Sequence, residues 1–147
     1  MTDPSATLGD ALDLETMNSF NKGTLAEKMG IEIVEVAPGK VVARMPVEGN
    51  TQPYGLLHGG AHVVLAETVG SIAAAIAAGE GRAAMGLDIN STHHRGVRSG
   101  FVTATATALS EGRSVAAYEI AIVDDEGRRV NTSRLTCILR DAPTRAS

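Results

Sequence analysis

The chain has 147 residues, of which 44% are hydrophobic and 20% charged, with a net charge of −4. This bounds it to one domain with a single core and an ordinary globular composition. The acidic balance excludes nucleic acid as a global partner, and 3% aromatic residues with no Trp leave no base-stacking platform.

In chain order, residues 1 to about 10 are small and polar and are expected to fray, and nothing among them has the composition of an export or targeting signal. Asp10 to Phe20 has loose apolar spacing at Leu12, Leu14 and Met17 and predicts a short helix within an N-terminal segment, 1–22. Thr24-Leu25-Ala26-Glu27 matches a capping box, and Gly30 should end that turn. Ile31 to Val36 and Lys40 to Val47 then read as a hairpin about Pro38-Gly39.

A loop from Gln52 to Gly60, QPYGLLHGG, feeds the longest element of the chain. Ala61 to Ala78 contains no proline, one internal glycine at Gly70, and Ala at 66, 73, 74, 75, 77 and 78. A helix apolar almost all round is a buried helix, and alanines let neighbouring backbone approach closely. At about 27 Å it spans a small domain. The run from Val63 to Ala78 reads as too short for a membrane span, and Glu67 interrupts it.

After Gly79 the period becomes two. Arg82 to Ile89, Phe101 to Leu109, Ser114 to Val123 and Arg129 to Leu139 are predicted strands, the last two joined by a turn at Asp124–Gly127. Val102, Ala104, Ala106 and Ala108 share one face of the second of these, and Thr103, Thr105 and Thr107 the other. Six strands and one buried helix give an α+β fold, an antiparallel sheet curled around a helix. Its open edges invite a second copy.

Two features carry chemistry. Glu67 is the single charge in the buried helix, where an unpaired carboxylate costs several kcal/mol; either a strand supplies a partner or it serves a site. Ser71 follows one turn later on the same face. At the helix entrance, Gly59 and Gly60 expose backbone N–H groups that can hold a developing oxyanion.

The order of elements, with QPYGLLHGGAHVVLAETVGS entering the helix and GLDINSTHHRGVRSG following it, resembles the hotdog-fold acyl-CoA thioesterases. It is most similar to the branch containing 4-hydroxybenzoyl-CoA and 1,4-dihydroxy-2-naphthoyl-CoA thioesterases. The resemblance runs from about Gly23 to Leu139, within a hotdog domain at 23–140 followed by a tail, 141–147. It implies hydrolysis of an acyl-CoA thioester, with aromatic acyl groups favoured and active sites lying between subunits. It further implies Glu67 as nucleophile or general base, the Gly59 amide polarising the thioester carbonyl and Gln52 placing the reacting group or water. His58 would lie beside the carbonyl and Ser71 would support the site. No cofactor is expected beyond the coenzyme A of the substrate, and the partners are acyl-CoA and further copies of the chain, as a dimer or a homotetramer.

For the coenzyme A phosphates, Arg95 and Arg98 are candidates because guanidinium matches phosphate geometry, with His93 preceding them. Arg113 and Ser114, in the turn EGRS, match a position at which relatives bind the nucleotide end. His93 and His94 read otherwise as an exposed turn. His58 is open between a cap and a substrate contact. His58 and His62 stand four apart as zinc ligands can, but HGGAH lacks the acid of H-E-x-x-H, so no metal site is assigned. Gly79 to Ala84 fits G-x-G-x-x-A yet opens a strand, the reverse of a dinucleotide site. The lone Cys137, in LTCIL, reads as core and fits a reducing cytoplasm. A non-catalytic acyl-CoA-binding protein and a hotdog-fold hydratase are the alternative functions.

Overall fold

The computed structural model describes residues 13–143, so the expected fraying of residues 1–10, the start of the first predicted helix and the end of the tail lie outside the described residues. Helix α1 (Leu14–Ser19) and the single turn α2 (Leu25–Lys28) precede strands β1 (Glu32–Ala37) and β2 (Lys40–Pro46). Helix α3 (Gly59–Ala78) follows, then β3 (Arg82–His93), β4 (Phe101–Glu111), β5 (Val115–Asp124) and β6 (Arg129–Asp141). The six strands form one antiparallel sheet in the order β1-β2-β4-β5-β6-β3, and α3 packs on its concave face against β2 through β6. This is the hotdog fold that the sequence predicts.

The local signals work much as their chemistry dictates. Gly39, at φ +72°, turns the β1–β2 hairpin after Pro38, and Gly127, at φ +76°, closes the β5–β6 turn. Within that turn the Asp124 carboxylate accepts from the Glu126 and Arg128 amides and from Arg128 Nε at 2.8–3.0 Å. Val102, Ala104 and Ala106 are fully buried toward the helix, as the alternation requires. The capping box does not close in its usual form. Thr24 makes no side-chain cap; its hydroxyl donates to Asn21 O, and Glu27 accepts from Gly23 N at 2.7 Å instead. Helix α1 docks on β1 through Asn18, which both donates to Ile33 O and accepts from Ile33 N, and through the buried Met17.

Helix α3 is two residues longer than the sequence predicts, because Gly59 and Gly60 form its first turn. At 20 residues it is long and apolar enough to cross a membrane, contrary to the reading of the shorter Val63–Ala78 run, but most of it is buried inside the curled sheet. At Gly70 the helix backbone lies close to β6, so that a Cβ there would stand 2.6 Å from Leu135 Cδ2. Cys137 is fully buried in the same core, as expected. Its thiol is pushed up to about 11, by burial first and by the charge of Glu67 second, with the Ser71 hydroxyl opposing.

Strand β3 runs on through His93, four residues past its predicted end, so His93 belongs to a strand and not to an exposed turn. It forms one edge of the sheet. Along that edge Met85 and Leu87 are 45% and 59% exposed.

Candidate active site

The loop entering α3 is pinned before the site begins. Asn50 Nδ2 donates to both Met29 O and Pro46 O at 2.8 Å, and its carbonyl accepts the His58 amide at 2.9 Å. His58 is the N-cap of α3, its Nδ1 accepting from Gly60 N at 2.8 Å. Of the two open readings of His58, the structure therefore shows the cap. It also corrects the expectation that Gly59 and Gly60 act as a pair, because the Gly60 amide is taken. Ala61 N bonds to His58 O, and the Gly59 N–H is left without a partner among the described residues.

Around that free amide lies a cavity of about 350 Å³, lined by Gln52, Leu56, Gly59, His62, His93 and Arg95 among others. Gln52 has its Oε1 engaged by the Tyr54 amide, which leaves its NH₂ free to donate. The His93 ring stands directly over Gly59, so that a Cβ there would be 2.9 Å from His93 Nε2. Only glycine fits. On its other side, His93 Nδ1 lies 3.2 Å from His62 Nδ1 and 3.0 Å from Asn131 Nδ2.

Glu67 sits eight residues into the helix, about 12 Å along its axis from Gly59. No partner neutralises it among the described residues; burial alone pushes its pKa up. Its carboxylate lies against Gly86 of β3, and a Cβ on Gly86 would collide with Glu67 Oε1. Gly86 stands where β3 bulges past β6, the register shifting between Gly86 and Asp88. The acid is thus held under an exposed sheet edge, with the strand cut back to make room. Ser71 lies one turn further along the helix, and both Glu67 and Ser71 act on the Cys137 thiol behind them.

The arginines do not converge within one chain. Arg95 shares the cavity of Gly59. Arg98 lines a second one, of about 380 Å³, together with Asp125, Glu126 and Arg128. Arg113 and Ser114 lie beyond the other end of β3, where Arg82 donates to Arg113 O and Leu139 N to Ser114 O. From Arg82 to His93 the strand covers roughly 35 Å.

Four residues fall outside the expectations from sequence. Gly86 carries no side chain to attract notice. The spacing of His62 suggests only a partnership with His58, yet one caps the helix and the other turns to His93. Asn131 and its neighbour Ser133 did leave a signal: they occupy the inward positions of β6 that Leu135, Cys137 and Leu139 continue, polar residues where the pattern calls for apolar ones.

The sequence profile described as the thioesterase superfamily matches residues 54–131. The chain is 43% identical over 126 residues to the proofreading thioesterase EntH of Cronobacter turicensis, covering 85% of this chain and 92% of that one. A thioesterase of Haemophilus influenzae superposes with a TM-score of 0.88 at 38% identity, covering 93% of this chain and 96% of that one. A mutant thioesterase of Pseudomonas aeruginosa follows at 0.83 and 36%, covering 88% and 95%. With this fold, and with an unpaired acid and a free helix amide in the positions described, the chain belongs to the thioesterase superfamily of hotdog-fold enzymes.

Proposed function

We propose that the protein hydrolyses acyl-CoA thioesters, aromatic acyl groups being favoured, in a site completed by a second copy of the chain. The observation that carries the reading is Glu67: a carboxylate in an apolar helix, without a counter-charge among the described residues and lodged against a glycine. Leaving such a group unpaired lowers stability, which is characteristic of residues retained for chemistry. It acts as nucleophile or general base. The Gly59 amide polarises the thioester carbonyl, a contribution of about 3–4 kcal/mol for one such donor. Gln52, through its free NH₂, orients the reacting group or water, and Ser71 supports the acid. The preference for aromatic acyl groups rests on the resemblance of the loop and helix entrance.

About 12 Å separates Glu67 from Gly59 in one chain, too far for both to engage one carbonyl. Antiparallel pairing of two β3 edges removes the problem. Gly86 marks the level of Glu67 on β3 and His93 the level of Gly59. A two-fold axis crossing midway, at Ile89–Asn90, sets the acid of each copy level with the amide of the other. The same operation carries the Arg113–Ser114 turn of one copy toward Arg95 and Arg98 of the other, which would gather the groups assigned to the coenzyme A phosphates. Exposed Met85 and Leu87 gain cover in the process.

The test is thiol release from a panel of short aliphatic, long aliphatic and aromatic acyl-CoAs. Glu67→Gln should lower kcat by at least a hundredfold with the fold intact. Turnover within a few-fold of the parent would remove Glu67 from the chemistry.

A further inference from the structure

We propose that His62 and Asn131 fix the His93 ring in the tautomer that carries its proton on Nε2, placing that N–H beside the Gly59 amide as a second donor to the thioester carbonyl. The inference rests on the function proposed above and adds a catalytic group, His93, with two positioning residues behind it.

Asn131 is fully buried, with a serine hydroxyl against each end of its amide. Its Oδ1 accepts from the Ser133 hydroxyl at 2.8 Å, and its Nδ2 donates to Ser91 Oγ at 2.7 Å. An NH₂ group has two hydrogens, and the second points to His93 Nδ1 at 3.0 Å. A ring nitrogen that faces an N–H must offer a lone pair, so the proton of neutral His93 resides on Nε2. The register holds these groups together, since Ser91 pairs with Ser133 and His93 with Asn131 across β3 and β6.

His62 supports the same assignment. It is 3% exposed, and burial first and His93 second push its pKa down to about 4, so at neutral pH it carries a single N–H. Its Nδ1 lies 3.2 Å from His93 Nδ1, while its Nε2 is buried with no partner among the described residues. Placing the proton on Nε2 would bury a donor with no acceptor. Placing it on Nδ1 makes a hydrogen bond and leaves only a bare lone pair at Nε2, the cheaper arrangement. His93 Nδ1 then accepts from two donors at once. Nε2, the atom that a Cβ on Gly59 would meet at 2.9 Å, is left as a donor opening on the cavity.

The tautomer is read directly from ¹⁵N-histidine NMR of the intact protein. His93 should show a protonated Nε2 and a bare Nδ1. Asn131→Asp replaces the donor with a carboxylate and should move the proton to Nδ1, lowering kcat about a hundredfold, the usual effect of losing one oxyanion donor, with KM within about threefold. His93→Ala should lose a similar factor, and Asn131→Asp should cost nothing more in that background. Should Asn131→Asp fail to fold, His62→Phe keeps a ring in place and removes one donor, giving a mixed tautomer and a several-fold lower kcat. A wild-type His93 protonated on Nδ1, or a swapped tautomer with undiminished kcat, overturns the proposal. Because the spectrum is independent of turnover, a fully active Glu67→Gln variant would refute the assigned chemistry while leaving the tautomer result standing.

Discussion

Replacing Gly86 with Ala adds one methyl group, and its effect separates catalysis from stability. The new Cβ would overlap Glu67 Oε1, far inside the 3.4 Å at which ordinary contact begins. Gly86 does not need a left-handed conformation, and it is exposed at the sheet edge, so the backbone accepts Ala without strain. The side chain that must yield is the end of a flexible glutamate, which can swing outward at little cost. The fold should therefore keep its Tm, while the carboxylate withdraws by about 1 Å, a displacement that typically lowers turnover about 100-fold. That corresponds to about 2.7 kcal/mol of transition-state stabilisation. Thiol release measures kcat, and thermal unfolding checks the fold. In a Glu67→Gln background the same change should have no further effect on rate. If Gly86→Ala stays within threefold of the parent while Glu67→Gln is inactive, the carboxylate is not positioned by that gap and the reasoning fails.

Glu67 should also limit stability. Burial raises its folded pKa above the unfolded value near 4.5, so the folded protein binds this proton more tightly, and the ionised form is the one that costs stability. Glu67→Gln should raise Tm at pH 7–8, with the gain shrinking as pH falls through the folded pKa and gone below about 4.5; equal Tm values at pH 7 would contradict it. Gly70→Ala presents the opposite case to Gly86→Ala, because the Cδ2 it meets at 2.6 Å belongs to the fully buried Leu135, which has nowhere to swing. Overpacking of about 1–3 kcal/mol exceeds the helix gain of about 1 kcal/mol, so thermal unfolding should show a Tm lower by several degrees, and an unchanged or higher Tm would refute the close packing. The double variant Ile89→Cys, Asn90→Cys straddles the axis inferred for β3 pairing and opposes position 89 of one copy to position 90 of the other; it should cross-link two copies under mild oxidation, since directly opposed strand residues stand at disulfide distance. A variant that stays reduced and monomeric on non-reducing gels would move or remove that axis.

Much of the frame was legible because it depends on periodicity and punctuation. The unbroken apolar run from Ala61, the alternation from Phe101 and the Gly-containing turns each follow from local sterics, and each appears where the residues put it. Ends were less legible. Strand β3 outran its prediction by four polar residues, Asn90 to His93, because its pairing with β6 supplies backbone partners that no local pattern encodes. The capping box failed for a related reason: Thr24 found the Asn21 carbonyl, and Glu27 reached past the cap to Gly23.

The sequence by itself determined that a lone acid would lie in a buried helix with glycines at its entrance, because cost of burial and backbone exposure are properties of residue type and spacing. The structure decided which amide is free, through a local choice in which His58 turns back to cap Gly60 two residues on. It also decided that Gly86 clears the space for Glu67 and that His62, His93 and Asn131 meet above Gly59. These contacts join residues 19, 31 and 38 positions apart, and such juxtapositions are created by sheet register and helix docking, which no single segment of the chain encodes.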